Sequence, residues 1–515
     1  MERSSHGVVS ESQKFREARD AALATIKDKE LGFAVGAKPV VSEDFGFLFD
    51  DLQEDDDNLL AENSETRNAL VRLGEAMNDR DETGARDSTI PGAYTYFGQF
   101  LDHDITLELK SNKIADITSN DLRPLDIAVI AKDLQNARTA TLDLDSVYGS
   151  PAPRDEDSKK MLIGQVSSSG GRPSGKDDDN DLPRSGRSEN PKKDRAAQTG
   201  DPRNDENLVV AQMHVAFLRA HNELVDRGRT FQQARRLLRR HYQHVVLHDF
   251  LKRIVDPRVV DDLLENGNRI YHPEREHFFM PLEFSVAAYR FGHSMIRGTY
   301  NYNVNFQSAT LDELFMFTAL SGQLAEFDTL PENWIIEWER FLPGFGAFDR
   351  ARKIDTRLVE PLDQLKNVDG TVLPPVLKSL ASRNLLRGYL LRLPTGQAVA
   401  RSLRQKLSGV RRIPVLKGAE IKGAVRNESQ IKILEDAGFL NRTPLWYYIL
   451  AEAALEGGNR LGPVGGTIVA EVLFGLIKRS EHSILNLSDW EPTLPSETPG
   501  QFTLSDLLRF AGVLT

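Results

Sequence analysis

Two histidines in unlike company carry the first hint of chemistry. His103 lies in Phe97-Gly-Gln-Phe-Leu-Asp-His-Asp-Ile, where Gln99, Asp102, His103 and Asp104 crowd polar groups into otherwise apolar sequence. At helical spacing Gln99 shares a face with Asp102 and with His103. If that face is buried, each of these groups needs a partner; if not, the run is a polar helix end. His293 closes Glu283-Phe-Ser-Val-Ala-Ala-Tyr-Arg-Phe-Gly-His, a helix that is mostly apolar. A lone imidazole there reads either as a satisfied core residue or as a ligand. Gly292 leaves room for something large and flat to approach the backbone, and Arg290 is placed to meet an anion.

Two further stretches hold oxygen and charge. Asp201-Pro-Arg-Asn-Asp-Glu-Asn-Leu opens a long helical pattern. Acidic residues in a first turn answer the helix dipole, so Asp205 and Glu206 read as capping as readily as chemistry. Arg203 is not explained that way. In Thr139-Ala-Thr-Leu-Asp-Leu-Asp-Ser-Val-Tyr-Gly-Ser the alternate residues Thr139, Thr141, Asp143 and Asp145 offer oxygens to one hard cation, and calcium takes six to eight. An ordinary Asp- and Thr-rich turn has the same composition.

Composition removes several classes of mechanism. The chain has no cysteine, which excludes disulfides, zinc–thiolate sites, iron–sulfur clusters, thiolate-ligated haem and cysteine nucleophiles. A transition metal would have to be held by carboxylate, Tyr, Met or one of 11 histidines. The formal net charge of −11 argues against a nucleic-acid partner, which would call for a basic surface.

The elements that must position these residues are mainly helical. Apolar residues recur at three- and four-residue intervals over 68–77, 94–107, 208–226, 231–254, 282–297, 311–324, 376–391, 398–406 and 467–478, whereas alternating strand patterns are scarce. The reading is one large, mainly α domain over 61–515, with little β structure, preceded by a charged arm over 1–60. A polar insertion at about 150–205 has too few apolar residues to build a core of its own. No run approaches 18 consecutive apolar residues, so no transmembrane helix is expected. The polar first 14 residues lack the apolar stretch of a signal peptide, so the expectation is a soluble chain, cytoplasmic or exported by a non-classical route.

Taken in order, Gln-x-x-Asp-His-Asp, Thr-x-Thr-x-Asp-x-Asp-Ser-x-Tyr-Gly-Ser, Arg-x-x-Glu, Met213-His, Arg219-Ala-His-Asn-Glu-Leu and Tyr-Arg-Phe-Gly-His closely resemble the animal haem peroxidase family, including its bacterial, peroxicin-like members. Asn384-Leu-Leu-Arg387-Gly and Leu461-Gly-Pro-Val-Gly-Gly-Thr resemble later segments of that family. The resemblance runs from about residue 94 to 477 and implies a haem b enclosed between helices. By this likeness His293 is the iron ligand, with Asn384 accepting a hydrogen bond from its other nitrogen. Arg290 and Arg387 lie on the cofactor. His103 is the unligated acid–base, Arg203 the cation that stabilises charge on peroxide, and Gln99 completes the pocket. Calcium falls to Asp104, Thr139, Thr141 (through its carbonyl), Asp143 and Asp145. Asp102 and Glu206 stand where relatives ester-link their haem.

The implied partners are hydrogen peroxide and a small reducing donor: a halide, a pseudohalide or a small aromatic. Asn207 replaces the haem-bonded methionine of myeloperoxidase, which argues against a sulfonium link and against chloride as donor. Residues after Arg387 depart from the Arg-Asp-His-Gly continuation of mammalian members, which weakens the transfer at Asn384. Two other functions stay open. Fatty-acid dioxygenases of the superfamily carry a radical tyrosine three residues before the histidine ligand, where this chain has Arg290, with Tyr289 one position off. A haem-free scaffold protein would have lost a catalytic residue, and none is missing.

Overall fold

The structure, a computed structural model, describes residues 45–80, 83–110, 117–149, 152–190, 193–272, 279–316, 318, 324, 326–365, 373–425 and 427–515. Residues 1–44 of the arm and most of 317–324 lie outside the described residues. The fold is all-α in character. Strand pairing among the described residues is confined to five two-stranded ladders, which clip loops together without forming a layer.

Five helices and one irregular segment position the chemistry. α1 (Ser64–Ala76) is capped by Asn63, whose side chain accepts from Thr66 N. α2 (Ala93–Ile105) starts beyond Pro91-Gly92 and buries Phe97, Phe100, Leu101 and Ile105. It ends where Thr106 turns extended and its hydroxyl donates to the Asp102 carbonyl at 3.0 Å. α3 (Leu208–Asp226) is capped by Asn207 and is buried over most of its length, as expected of a helix apolar on nearly all sides. Phe100 of α2 stacks on Phe217 of α3 at 4.6 Å, which fixes how the two helices meet.

α4 (Leu380–Leu390) crosses α1 closely: a Cβ on Gly74 would lie 2.4 Å from Ser382 Oγ, so the approach needs glycine. α5 (Leu445–Leu455) is buried on almost every face and packs behind the His293 segment.

The sequence reads 282–297 as one helix, but the structure divides it. Glu283–Ala287 forms a π-turn and Ala288–Met295 a 3₁₀ segment. Two side chains account for the break. The Glu283 carboxylate accepts from Leu48 N at 2.8 Å and Phe49 N at 3.1 Å, tying this turn to another part of the chain. Arg290 Nε donates to the Ser285 carbonyl at 3.1 Å, taking up a group that a regular helix would use for its own ladder. The change falls at Ala287, with φ −128° and ψ −71°. The pattern at 231–254 likewise contains a π-turn, Val245–Phe250, between two α-helical pieces.

The polar stretch over 152–205 contains no α-helix among its described residues. It is held by isolated bridges, by buried Met161 and Leu182, and by ion pairs. Arg184 lies between Asp181 and Asp205 at 2.7 and 2.8 Å, with all three side chains buried. Buried charges at this spacing compensate one another, so a segment poor in apolar residues is fastened by electrostatics.

Candidate functional site

A crevice runs between α2 and the Glu283–Ile296 stretch. Tyr94, Gly98, Gln99 and Asp102 line one wall and Tyr289, Arg290, Gly292 and His293 the other, with Phe45 and Phe250 closing it. Tyr289 Oη donates across it to the Gly98 carbonyl at 3.2 Å. A Cβ added to Gly292 would meet nothing within 4 Å, so the backbone beside His293 faces open space.

His103 is fully buried one position further round α2. Its Nδ1 is 2.8 Å from Asn204 Oδ1, and its Nε2 lies 3.5 Å from Glu206 Oε1. Gln99 Nε2 donates to the same Glu206 oxygen, and Asn207 Nδ2 donates to Gln99 Oε1 at 3.2 Å. The structure therefore gathers Gln99, His103, Glu206 and Asn207 into one polar cluster, joined to the crevice through Gln99. Asp102 sits in the wall itself and accepts from Thr106 Oγ1 at 3.0 Å.

Arg203 anchors the far end of α2. Its guanidinium pairs with Asp201 at 2.7 Å and donates to the carbonyls of His103 and Thr106. Burial opposes both charges, yet each partner secures the other: Asp201 raises the Arg203 pKa, while Arg203 and Arg138 hold Asp201 well below the carboxylate range. One guanidinium nitrogen, Nη1, is buried without a hydrogen-bond partner among the described residues.

On the opposite wall, His293 Nδ1 lies 2.7 Å from Asn384. The pairing is the expected one, but its direction is reversed: the amide nitrogen, not the oxygen, faces the ring. The cause is Arg290. A guanidinium has no acceptor, so the Asn384 oxygen turns to Arg290 Nη1 at 2.8 Å and the amide nitrogen is left for the imidazole. Burial, partly offset by Asp102, lowers the Arg290 pKa to about 10. Trp446 Nε1 donates to the Arg290 carbonyl at 3.2 Å and fixes the segment from behind. Arg387, one turn along α4 from Asn384, pairs with Glu108 of the crevice wall. Burial lowers its pKa to about 9, and its Nε and Nη1 have no partner among the described residues.

The Thr/Asp loop meets Asp104 at the end of α2. Asp104 accepts from Leu144 N at 3.1 Å and Ser146 N at 3.2 Å, and Thr139 Oγ1 donates to Asp145. Burial, then the charges of Asp145 and Asp143, push Asp104 up to about 8. Asp143 Oδ1 is buried without a partner among the described residues. The oxygens named from sequence are thus neighbours, though no group of three or more His, Asp or Glu side chains among the described residues is arranged to hold a metal ion.

The donor set suits haem: an imidazole on one wall, open space beside Gly292, and behind Glu108 of the wall the buried guanidinium of Arg387, whose Nε and Nη1 have no partner among the described residues. The width does not suit it in this form. The crevice holds about 50 Å³, far below the roughly 300–1,000 Å³ of small-molecule pockets.

Sequence reasoning gave no role to Asn204, His214, Asp201 or Glu108, although the first three stand inside motifs it quoted. Each is an ordinary polar residue in sequence and gains its role only through partners that the fold supplies.

The sequence family described as animal haem peroxidase matches residues 130–389, about half of the chain. That range includes Arg203, Glu206, His293, Asn384, Arg387 and the Thr/Asp loop, and leaves α2 outside. Thyroid peroxidase of Rattus norvegicus is 27% identical over 301 residues, covering 54% of this chain and 30% of that protein. A peroxidase-like protein of Margaritifera margaritifera is 30% identical over 124 residues, covering 22% of this chain and 16% of its own length. The chain thus spans under a third of these curated relatives. Among solved structures, peroxidase A of Dictyostelium discoideum superposes with a TM-score of 0.55 at 16% identity, over 87% of this chain and 89% of that one. The fatty acid alpha-dioxygenase of Oryza sativa gives a TM-score of 0.54 at 13% identity, over 92% and 78%. At these identities the superpositions speak for the fold alone.

Proposed function

The chain belongs to the animal haem peroxidase family, and from that premise we propose that it binds haem b in the crevice between α2 and the His293 segment and reduces hydrogen peroxide with electrons from a halide, pseudohalide or small aromatic donor. The observation that carries this reading is the placing of two imidazoles in unlike settings about one crevice: His293 lines one wall, and His103 is buried behind the other in a polar cluster joined to the crevice through Gln99.

The chemistry contributed by bound haem is two-electron redox at iron. His293 would hold it through Nε2. Ligation there requires a proton on Nδ1, so the Asn384 oxygen must turn to the ring and Arg290 must find another acceptor. Arg290 and Arg387 are then the cations available to the carboxylates of haem. His103 accepts a proton from hydrogen peroxide and returns it to the departing oxygen, and Arg203, through Nη1, favours negative charge on that oxygen. Gln99 and Glu206, hydrogen-bonded to each other, complete the polar cluster beside His103. Asp102 and Glu206 are the two carboxylates available for ester links to haem. Calcium, bound by Asp104, Thr139, the Thr141 carbonyl, Asp143 and Asp145, would neutralise the carboxylates and pin the end of α2.

Steady-state rates of peroxide consumption with chloride, bromide, iodide, thiocyanate and a phenol test the donor class. The expectation is activity with the last four and little with chloride; no peroxide-dependent oxidation of any donor by haem-loaded protein would reject the reading. Mass spectrometry after acid extraction tests the esters, and freely extracted, unmodified haem b counts against them.

A fatty-acid dioxygenase reading retains one supporting observation, that Tyr289 lines the crevice beside His293. Oxygen uptake with a long-chain fatty acid, abolished by Tyr289→Phe, would favour it over the peroxidase reading.

A further inference from the structure

His103 does not stand alone behind its wall. Its Nδ1 lies 2.8 Å from Asn204 Oδ1, and Asn204 Nδ2 lies 2.8 Å from Nδ1 of His214 on α3. All three side chains are buried, and the His214 ring meets Phe100 edge-on. We propose that Asn204 and His214 are positioning residues that fix the proton of neutral His103 on Nδ1, so that its Nε2 carries the lone pair that accepts a proton from substrate. The inference rests on the peroxidase reading for its purpose, but not for its geometry.

The argument follows donors and acceptors along the chain. Burial lowers the His214 pKa to about 3, so its ring is neutral at ordinary pH and one of its nitrogens must accept. The Asn204 amide nitrogen, which can only donate, faces His214 Nδ1, making Nδ1 the acceptor. The Asn204 oxygen, which can only accept, faces His103 Nδ1 and therefore requires a proton there. The other tautomer of His103 would set a ring lone pair against the amide oxygen. Charged groups near His103 among the described residues include its sequence neighbours Asp102 and Asp104, Glu206 at 3.5 Å from Nε2, and the Arg203–Asp201 pair at the end of α2. Glu206 faces the opposite ring nitrogen, so the Nδ1 side is governed by the amide. Turning the amide over would reverse the chain, with His103 protonated on Nε2, and it would need His214 to carry its own proton on Nδ1. The two directions are experimentally distinct.

The test uses the full chain labelled with ¹⁵N-histidine. Two-bond ¹H–¹⁵N correlation reads the tautomer of each neutral ring, with His103 assigned by its disappearance in His103→Gln. The expected result is a protonated Nδ1 on His103 in the wild type. His214→Asn offers a carbonyl where the ring nitrogen stood and should retain that tautomer, while His214→Phe and Asn204→Leu should give a mixture. In haem-loaded protein, Asn204→Leu should lower the rate of peroxide reduction by roughly a hundredfold or more. A His103 proton on Nε2 in the wild type, or a tautomer unchanged by Asn204→Leu in a protein that still melts cooperatively, would overturn the proposal. Because the tautomer is read without haem, a chain that keeps it but binds no haem would sink the peroxidase reading and leave this one standing.

Discussion

At His103 and His293 the same side chain faces opposite demands, and the surroundings separate them. His103 is enclosed by Asn204 and Glu206, which suits a group that holds and releases a proton. His293 opens on a crevice and leans on Asn384, which suits a ligand. His103→Ala should therefore leave haem binding intact and cost roughly 10²–10⁴ in peroxide reduction, read as kcat/KM beside an unchanged absorption spectrum. Gly292 gives a finer probe. An added methyl meets nothing within 4 Å, so Gly292→Ala should leave the melting temperature of the haem-free protein within a few degrees of wild type. The same methyl would stand where a porphyrin face must approach, so haem affinity should fall by tenfold or more. Equal affinities would place the porphyrin elsewhere. His103 and His293 stood out in sequence because histidine is rare in the chain, with 11 in all, and because the motifs around the two occur in a specific order. The direction of the Asn384 bond was not legible, since it depends on Arg290 reaching the same amide.

At the scale of elements, the helices with an apolar stripe were readable: 208–226 coincides with α3, and 94–107 overlaps α2 closely. α5 escaped because Leu-Trp-Tyr-Tyr-Ile-Leu-Ala is apolar on all sides and shows no period, although that is the expected pattern for a helix buried at the centre. The break in 282–297 escaped because it is imposed by Glu283 and Arg290 bonding outside the local ladder. Glu452 on α5 illustrates a long-range cap. Its carboxylate accepts from Val464 N at 2.9 Å and Gly465 N at 3.3 Å, at the start of the helix Pro463–Arg479. Burial raises its pKa to about 8. An acid whose folded-state pKa is raised holds its proton more tightly when folded, so its contribution is full below about pH 4.5 and is lost as pH rises through about 8. Urea midpoints should accordingly fall between those values, and Glu452→Gln should flatten that part of the profile; an unchanged profile would remove Glu452 as its source. The Thr/Asp loop, proposed to bind calcium, makes a second prediction at this scale. With Asp104, Asp143 and Asp145 so close together, chelation should lower peroxidase activity by loosening the end of α2 that carries His103. Full activity in protein shown by metal analysis to be calcium-free would refute it.

At the scale of the whole molecule, an all-α shell encloses one contiguous core, and the polar 152–205 stretch is fastened across it by charge. Composition announced that stretch as different but not how it is held, because Arg184 is paired by the fold and not by its sequence neighbours alone. The fold reproduces that of proteins as distant as 13–16% identity, so function has to be argued from the crevice and not from the shell. The most direct test is a haem titration of the pure chain, followed by the rise of the Soret band, with His293→Ala alongside. Saturation at one haem per chain in the wild type, with affinity sharply reduced in the variant, is the predicted result. A folded protein that takes up no haem, or a variant that binds it equally well, would contradict the account.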